Sequence, residues 1–133
     1  MNQLFVYGTL RRYFGGKVQT RLAQCSQFVG EATMQGLLYE IDGYPGAVES
    51  SEPAHCVFGE LYALVQPSTL SWLDRYEECG CEFPYPQEYE RKLIDIVMYT
   101  GEPQTAWAYI YQRKTGNLQR IESGDYVRFK CIR

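Results

Sequence analysis

A two-residue alternation running from Tyr89 to Tyr99 constrains the fold more than any other feature of this chain. Ile94, Ile96 and Met98 fall on one side of it, and Tyr89, Arg91, Leu93, Asp95, Val97 and Tyr99 fall on the other. The first side is apolar and faces a core, while the second is mixed. The theme continues over residues 105–111, where Trp107, Tyr109 and Tyr111 share a side. Shorter apolar runs read as further strands: Leu4-Phe5-Val6-Tyr7, ended by Gly8, then residues 28–33, 36–41 and 57–64. Gly43-Tyr44-Pro45-Gly46 supplies turn chemistry ahead of Ala47-Val48-Glu49. Residues 17–24 suggest a short helix, and residues 125–130 are expected as a strand that closes the sheet. Several turn-separated strands with one strong helix predict an α+β fold. Its expected form is a small mixed β-barrel, closed or nearly so, flanked by a few helices rather than built from βαβ units.

That strong helix is expected over residues 68–78 as the longest of the chain, with Pro67 suited to its first turn because a missing N–H is harmless there. At 100° per residue Trp72, Tyr76, Leu73 and Leu70 occupy one arc of about 160°. Glu77 lies inside that arc, whereas Arg75 and Glu78 lie outside it. A carboxylate on an inward face is costly unless paired, and burial moves its pKa toward the range useful to a general base. Two readings stand together here: a catalytic acid/base, or a core glutamate satisfied by a buried arginine or backbone donors. The segment Tyr7-Gly8-Thr9-Leu10 has two readings as well. It is either an ordinary strand-ending turn or a nest whose successive N–H groups from Gly8, Thr9 and Leu10 converge on one carboxylate.

Composition removes several function classes. At 133 residues the chain suits one domain, spanning 1–133, and 45% hydrophobic with 15% aromatic residues argues against disorder. A net charge of -3 gives no reason to expect nucleic acid or an anionic membrane as partner. Arg11, Arg12, Lys17 and Arg21 cluster after the Tyr7 motif, either as solvated surface or as a means of steering a small anionic substrate. No stretch approaches the ~20 apolar residues of a membrane span, and no signal-type segment opens the chain, so a cytoplasmic protein is expected. The five cysteines, an odd number without repeated C-x-x-C spacing, argue for free thiols rather than a disulfide framework. With His55 the sole histidine, Cys79-Gly80-Cys81 lacks evident zinc partners, and no metal is expected.

Eight short motifs occur in an order that resembles the gamma-glutamylcyclotransferase-like family along nearly the whole chain. They are Tyr7-Gly8-Thr9-Leu10, Gly36-Leu37-Leu38-Tyr39, Tyr44-Pro45-Gly46, Gly59-Glu60-Leu61-Tyr62, Leu73-Asp74-Arg75-Tyr76-Glu77, Tyr89-Glu90-Arg91, Ala106-Trp107-Ala108-Tyr109 and Ser123-Gly124-Asp125-Tyr126. The Tyr-Gly-Thr-Leu opening is more similar to the gamma-glutamylamine cyclotransferase branch and its bacterial relatives than to enzymes acting on gamma-glutamyl amino acids. The resemblance implies a small barrel flanked by helices, a cavity at the Tyr7 loop, and cofactor-free release of 5-oxoproline from a gamma-glutamyl conjugate. It also implies that Tyr7, Gly8, Thr9 and Leu10 bind substrate and that Glu77 is the catalytic acid/base. Tyr89, Arg91 and Tyr126 match positions that line or support the cavity in relatives. The loop after the first motif, Arg12-Tyr13-Phe14-Gly15-Gly16, departs from the His or Asn often found there. Residues 79–87 are expected to form a semi-rigid rim rich in proline and aromatic side chains. The leaving amine and the oligomeric state are not legible at this level.

Two other functions are consistent with the same residues. One is a non-catalytic protein that binds a small metabolite on this fold. The other is a thiol hydrolase using Cys56 with His55 as base, although neighbours on one strand point to opposite faces.

Overall fold

The computed structural model describes residues 2–66, 68–77 and 87–132. Seven strands and three helices follow in the order β1 (Gln3–Val6), α1 (Lys17–Gln24), β2 (Ser26–Glu40), β3 (Pro45–Glu49), β4 (Cys56–Leu64), α2 (Thr69–Tyr76), β5 (Tyr89–Met98), β6 (Pro103–Tyr111), β7 (Gln119–Arg120) and α3 (Tyr126–Ile132). Strands pair in the sequence β2-β4-β1-β6-β5, and β5 returns to β2 through Ala32, Thr33 and Met34. This closes a five-stranded barrel, the expected class. It is mixed because β1 runs parallel to β6 and antiparallel to β4. β3 and β7 pair with the far half of β2 and lie off the barrel circuit.

Alternation along the strands sorts side chains into two cores on either side of the barrel wall. From β6, Ala106, Ala108 and Ile110 join the cluster inside the barrel, while Trp107, Tyr109 and Tyr111 join the one outside it. β1 divides likewise: Phe5 inward, Leu4 and Val6 outward against Leu22 of α1 and Trp72 and Leu73 of α2. On β6 the small Ala106 and Ala108 face the interior, which leaves room there for the larger Phe5, Met34 and Tyr126, while the outer wall is covered by helices. On β5 the predicted apolar side is buried, with Ile94, Ile96 and Met98 at 5%, 1% and 7% exposure, and Leu93 and Val97 face outward.

Several local expectations are corrected. The two strands expected at residues 28–33 and 36–41 are one strand, β2. Gly36 does not make a turn; a Cβ there would lie 2.4 Å from Val48 O, so the glycine admits the close approach of β3. Residues 125–130 form helix α3 rather than a closing strand. Gly124, at φ +70°, reverses the chain, Asp125 Oδ1 accepts the Arg128 N–H at 3.2 Å, and Tyr126 and Phe129, one turn apart, stack together. The helix expected over residues 68–78 is shorter: α2 has eight residues, as does α1, and Glu77 is its C-cap. Pro67 and Glu78 lie outside the described residues, as does most of the expected rim at residues 79–87. The inward side of α2 is Thr69, Trp72 and Leu73, while Leu70 is half-buried and Tyr76 is 49% exposed, because a helix ending at a cavity leaves its last turn uncovered. Arg11 is not part of a solvated basic face. It is buried and ion-paired with Glu60 and Asp125, leaving Arg12 stacked over Phe28 and Arg21 over Trp72. Among the described residues no helix is long and apolar enough to cross a membrane.

β1 and β4 approach closely at Gly59. A Cβ on Gly59 would sit 2.3 Å from Val6 O and 2.6 Å from Phe5 Cζ. Gly59→Ala is expected to destabilise the protein by about 1–3 kcal/mol through overpacking against backbone. Urea unfolding checks this, and an unchanged midpoint would show that the strands part without cost.

Candidate active site

Tyr7 stands at the exit of β1, where its side chain enters the barrel and its hydroxyl joins three elements. The hydroxyl donates to Tyr109 O of β6 at 2.6 Å and accepts from Ala47 N of β3 at 3.1 Å. The chain then turns tightly, with Arg11 N donating to Gly8 O at 3.0 Å. Gly8 is needed for close approach: a Cβ would fall 2.6 Å from Pro45 Cγ. Among the described residues the N–H groups of Gly8, Thr9 and Leu10 donate to no carbonyl or side chain. All three of these residues line the cavity described below.

Facing this turn is the end of α2. Glu77 N donates to Leu73 O at 2.9 Å, so the helical ladder fixes the residue whose side chain turns inward. Glu77, Gly8, Thr9 and Leu10 all line one cavity of about 360 Å³, together with Phe5, Val6, Tyr7, Tyr44, Pro45, Tyr76, Glu88, Tyr89 and Tyr109. Burial, and secondarily the charge of Glu88, push the Glu77 carboxyl up to about 7. At that value the group both takes and returns a proton near neutral pH.

The tyrosines around Glu77 act differently. Tyr89 donates to Pro45 O at 2.6 Å, Tyr109 donates to Asp74 Oδ1 at 2.6 Å, and Tyr44 is hydrogen-bonded to Glu88. Burial holds the hydroxyls of Tyr7, Tyr44, Tyr89 and Tyr109 well above the ordinary tyrosine pKa. They remain protonated at neutral pH, and those of Tyr7, Tyr89 and Tyr109 are committed to fixed acceptors. Their hydrogen bonds cross-link the wall of the cavity.

Of the positions singled out in the sequence, Tyr7, Gly8, Thr9, Leu10, Glu77 and Tyr89 come together in the lining of this cavity. Arg91 and Tyr126 stand outside it. Arg91 pairs in two-pronged fashion with Asp74, at 2.8 and 3.2 Å, and its guanidinium stacks on Trp107, which ties α2 to the barrel. Tyr126 is fully buried in the barrel core and donates to Gly43 O at 3.0 Å. Tyr44, Pro45, Glu88 and Tyr109 carried no site assignment from the sequence. Tyr44 and Pro45 read there as turn formers and as part of a family motif, without a site role. Tyr109 gave a signal in the aromatic side of β6, but no period reveals which cavity a side chain meets. His55 and Cys56 belong elsewhere: they line a separate hollow with Arg120 and Ser123, and His55 Nδ1 is 2.8 Å from Ser50 Oγ. The described residues contain no group of three or more His, Cys, Asp or Glu side chains placed to hold a metal.

Comparison with known proteins agrees with this architecture. Residues 4–128 match the model of the family described as gamma-glutamyl cyclotransferase, AIG2-like. A Vibrio cholerae protein provisionally named a gamma-glutamylcyclotransferase is 38% identical over 125 residues, covering 92% of this chain and 93% of its own. The gamma-glutamylcyclotransferase family protein YtfP of Escherichia coli K12 is 33% identical over 126 residues, covering 94% and 96%. The solution structure of the Escherichia coli protein superposes with a TM-score of 0.65 at 32% identity, over 96% of this chain and 98% of that one. YkqA of Bacillus subtilis gives a TM-score of 0.74 at 26% identity; this chain is covered to 98% but spans only 41% of that longer protein. A small closed barrel with a helix-borne carboxylate opposite a glycine turn is the class the molecule falls into. The chain belongs to the gamma-glutamyl cyclotransferase, AIG2-like family.

The raised Glu77 pKa has a consequence for stability. Below pH 4.5 the carboxyl is protonated in folded and unfolded chains alike. Between 4.5 and about 7 the unfolded chain loses this proton while the folded one keeps it, so stability falls as pH rises, and the full penalty applies above 7. Glu77→Gln mimics the neutral form. Its stability gain over the parent is expected to be near zero at pH 4.5 and to grow to about 1–3 kcal/mol above pH 7.5. Denaturant titrations at both pH values check this, and a gain independent of pH would contradict it.

Proposed function

We propose that the protein is a gamma-glutamylcyclotransferase that closes the gamma-glutamyl group of a small conjugate into 5-oxoproline and frees the attached amine. The observation that carries this reading is the shared cavity in which a carboxyl tuned to about 7 faces three unspent N–H donors. The substrate's α-carboxylate docks on the N–H groups of Gly8, Thr9 and Leu10, which fixes the end that enters. Folded back in the cavity, the α-amine lies next to its own γ-carbonyl, and this orientation is worth several kcal/mol, up to roughly 7–11 in the best intramolecular cases.

Near neutral pH that amine is an ammonium and has no lone pair for attack. Glu77 removes one proton, the nitrogen attacks the γ-carbon, and a new C–N bond closes the lactam ring. As the original amide C–N bond breaks, Glu77 returns that proton to the departing nitrogen, then takes the second proton from the new ring nitrogen and hands it to the freed amine, which leaves as an ammonium. Atoms and protons balance without water or redox chemistry. Family membership and the Tyr-Gly-Thr-Leu loop support amines as leaving groups, and the tyrosine-lined walls suit an apolar or weakly polar one.

A panel of γ-glutamyl amines, amino acids and peptides, followed by mass detection of 5-oxoproline, tests the activity. At least one member should release 5-oxoproline, with kcat/KM rising with pH through about 7 as Glu77 loses its proton. Glu77→Gln should lower kcat by about 10²–10⁴-fold. Near parental turnover in that variant would remove Glu77 from the mechanism, and no 5-oxoproline from any compound would remove the activity itself.

A further inference from the structure

The Gly59-Glu60-Leu61-Tyr62 motif takes no part in the chemistry above, yet Glu60 marks both ends of the loop that cradles the substrate. Its backbone pairs with Val6, the last residue of β1. Six residues later the chain comes back to it, as Arg12 N donates to Glu60 Oε1 at 3.0 Å. Between those two anchor points lie Tyr7, Gly8, Thr9, Leu10 and Arg11. We propose that Glu60 is the positioning residue that sets the geometry of the N–H cradle. This rests on the reading of residues 8–10 as the carboxylate site.

The one backbone bond inside this turn, Arg11 N to Gly8 O, leaves the N–H groups of Gly8, Thr9 and Leu10 without a partner among the described residues, so contacts from outside hold the loop's shape. Glu60 does this with both oxygens. Oε1 also accepts from Tyr62 Oη at 3.2 Å, and Oε2 faces Arg11 Nε at 3.4 Å. The two charged side chains are only 9% and 6% exposed, which keeps their attraction from being screened. The bracing then extends outward. Gln19 of α1 donates to Tyr62 Oη at 3.3 Å, and Arg11 Nη1 donates to Asp125 Oδ1 at 2.9 Å, just ahead of α3. Glu60, Arg11 and Tyr62 do not line the cavity, so their influence passes through the backbone of the loop.

The test is a ratio that loss of folded protein cannot alter. Lactam release is measured for a γ-glutamyl amide and for its analogue in which the α-carboxylate is a carboxamide. The parent protein should favour the carboxylate by about tenfold or more in kcat/KM, since a site built for a charged partner rejects the neutral isostere. In Glu60→Ala this preference should fall at least about fivefold, mainly through a higher KM for the carboxylate substrate, with kcat changed less than about threefold. Glu60→Gln keeps one carbonyl acceptor for Arg12 N–H and should retain an intermediate preference. If Glu60→Ala does not fold, Tyr62→Phe, which removes one donor to Oε1, takes its place beside Glu60→Gln. An unaltered preference in the folded variants overturns the role of Glu60 while leaving the activity intact. A parent that shows no preference, or releases no lactam, overturns the carboxylate-site reading and this inference with it.

Discussion

Strand β1 is covered on both faces, and that constraint organises the rest of the molecule. Phe5 packs inside the barrel while Leu4 and Val6 pack outside it, beneath α1 and α2. Both edges are hydrogen-bonded as well, one to β4 and one to β6. A segment held on four sides has no freedom to shift register, because a one-residue slip would exchange every inward and outward side chain. The loop that leaves it therefore starts from a fixed point. The Tyr7 hydroxyl extends this fixity to β3 and β6, and Glu60 closes it from β4.

Rigidity around the cavity accounts for how an uncomfortable carboxylate persists at Glu77. Burial and a neighbouring carboxylate both disfavour its ionised form, and among the described residues no cation offsets them there. The cation nearest in sequence on β5, Arg91, is spent on Asp74 three residues earlier in α2. That pairing ties the helix to β5. The protein thus carries one carboxylate in α2, Asp74, as an anchor and another at its C-cap, Glu77, in the cavity with a raised pKa. Which is which depends on the partner each meets rather than on the residue type.

Much of this was legible from the residues alone, for identifiable reasons. The alternation from Tyr89 to Tyr99 gave the buried side of β5, because a two-residue period has only two sides and one was apolar. Residues 17–24 gave α1, and the 100° step picked out Trp72 and Leu73 as buried, although α2 ends at Tyr76 and Glu77 is its C-cap. The failures have equally definite causes. Tyr126 and Phe129 fit a helix as well as a strand, and what decided for the helix was Gly124 and the Asp125 cap. Arg11 looked like surface charge because its partners, Glu60 and Asp125, are 49 and 114 residues away in the chain.

Sequence by itself determined the buried side of β5, the glycine turn after β1 and the burial of Trp72 and Leu73 on α2, since each follows from neighbouring residues and fixed backbone periods. Tertiary structure decided which distant groups meet. It brought Glu88 and Tyr109 to the cavity, set Arg91 against Asp74, and placed Arg11 under cover with Glu60. These are choices among partners, and a period records only the direction in which a side chain leaves the backbone. Burial and neighbouring charge, which raise the pKa of Glu77, come into being only when the barrel closes.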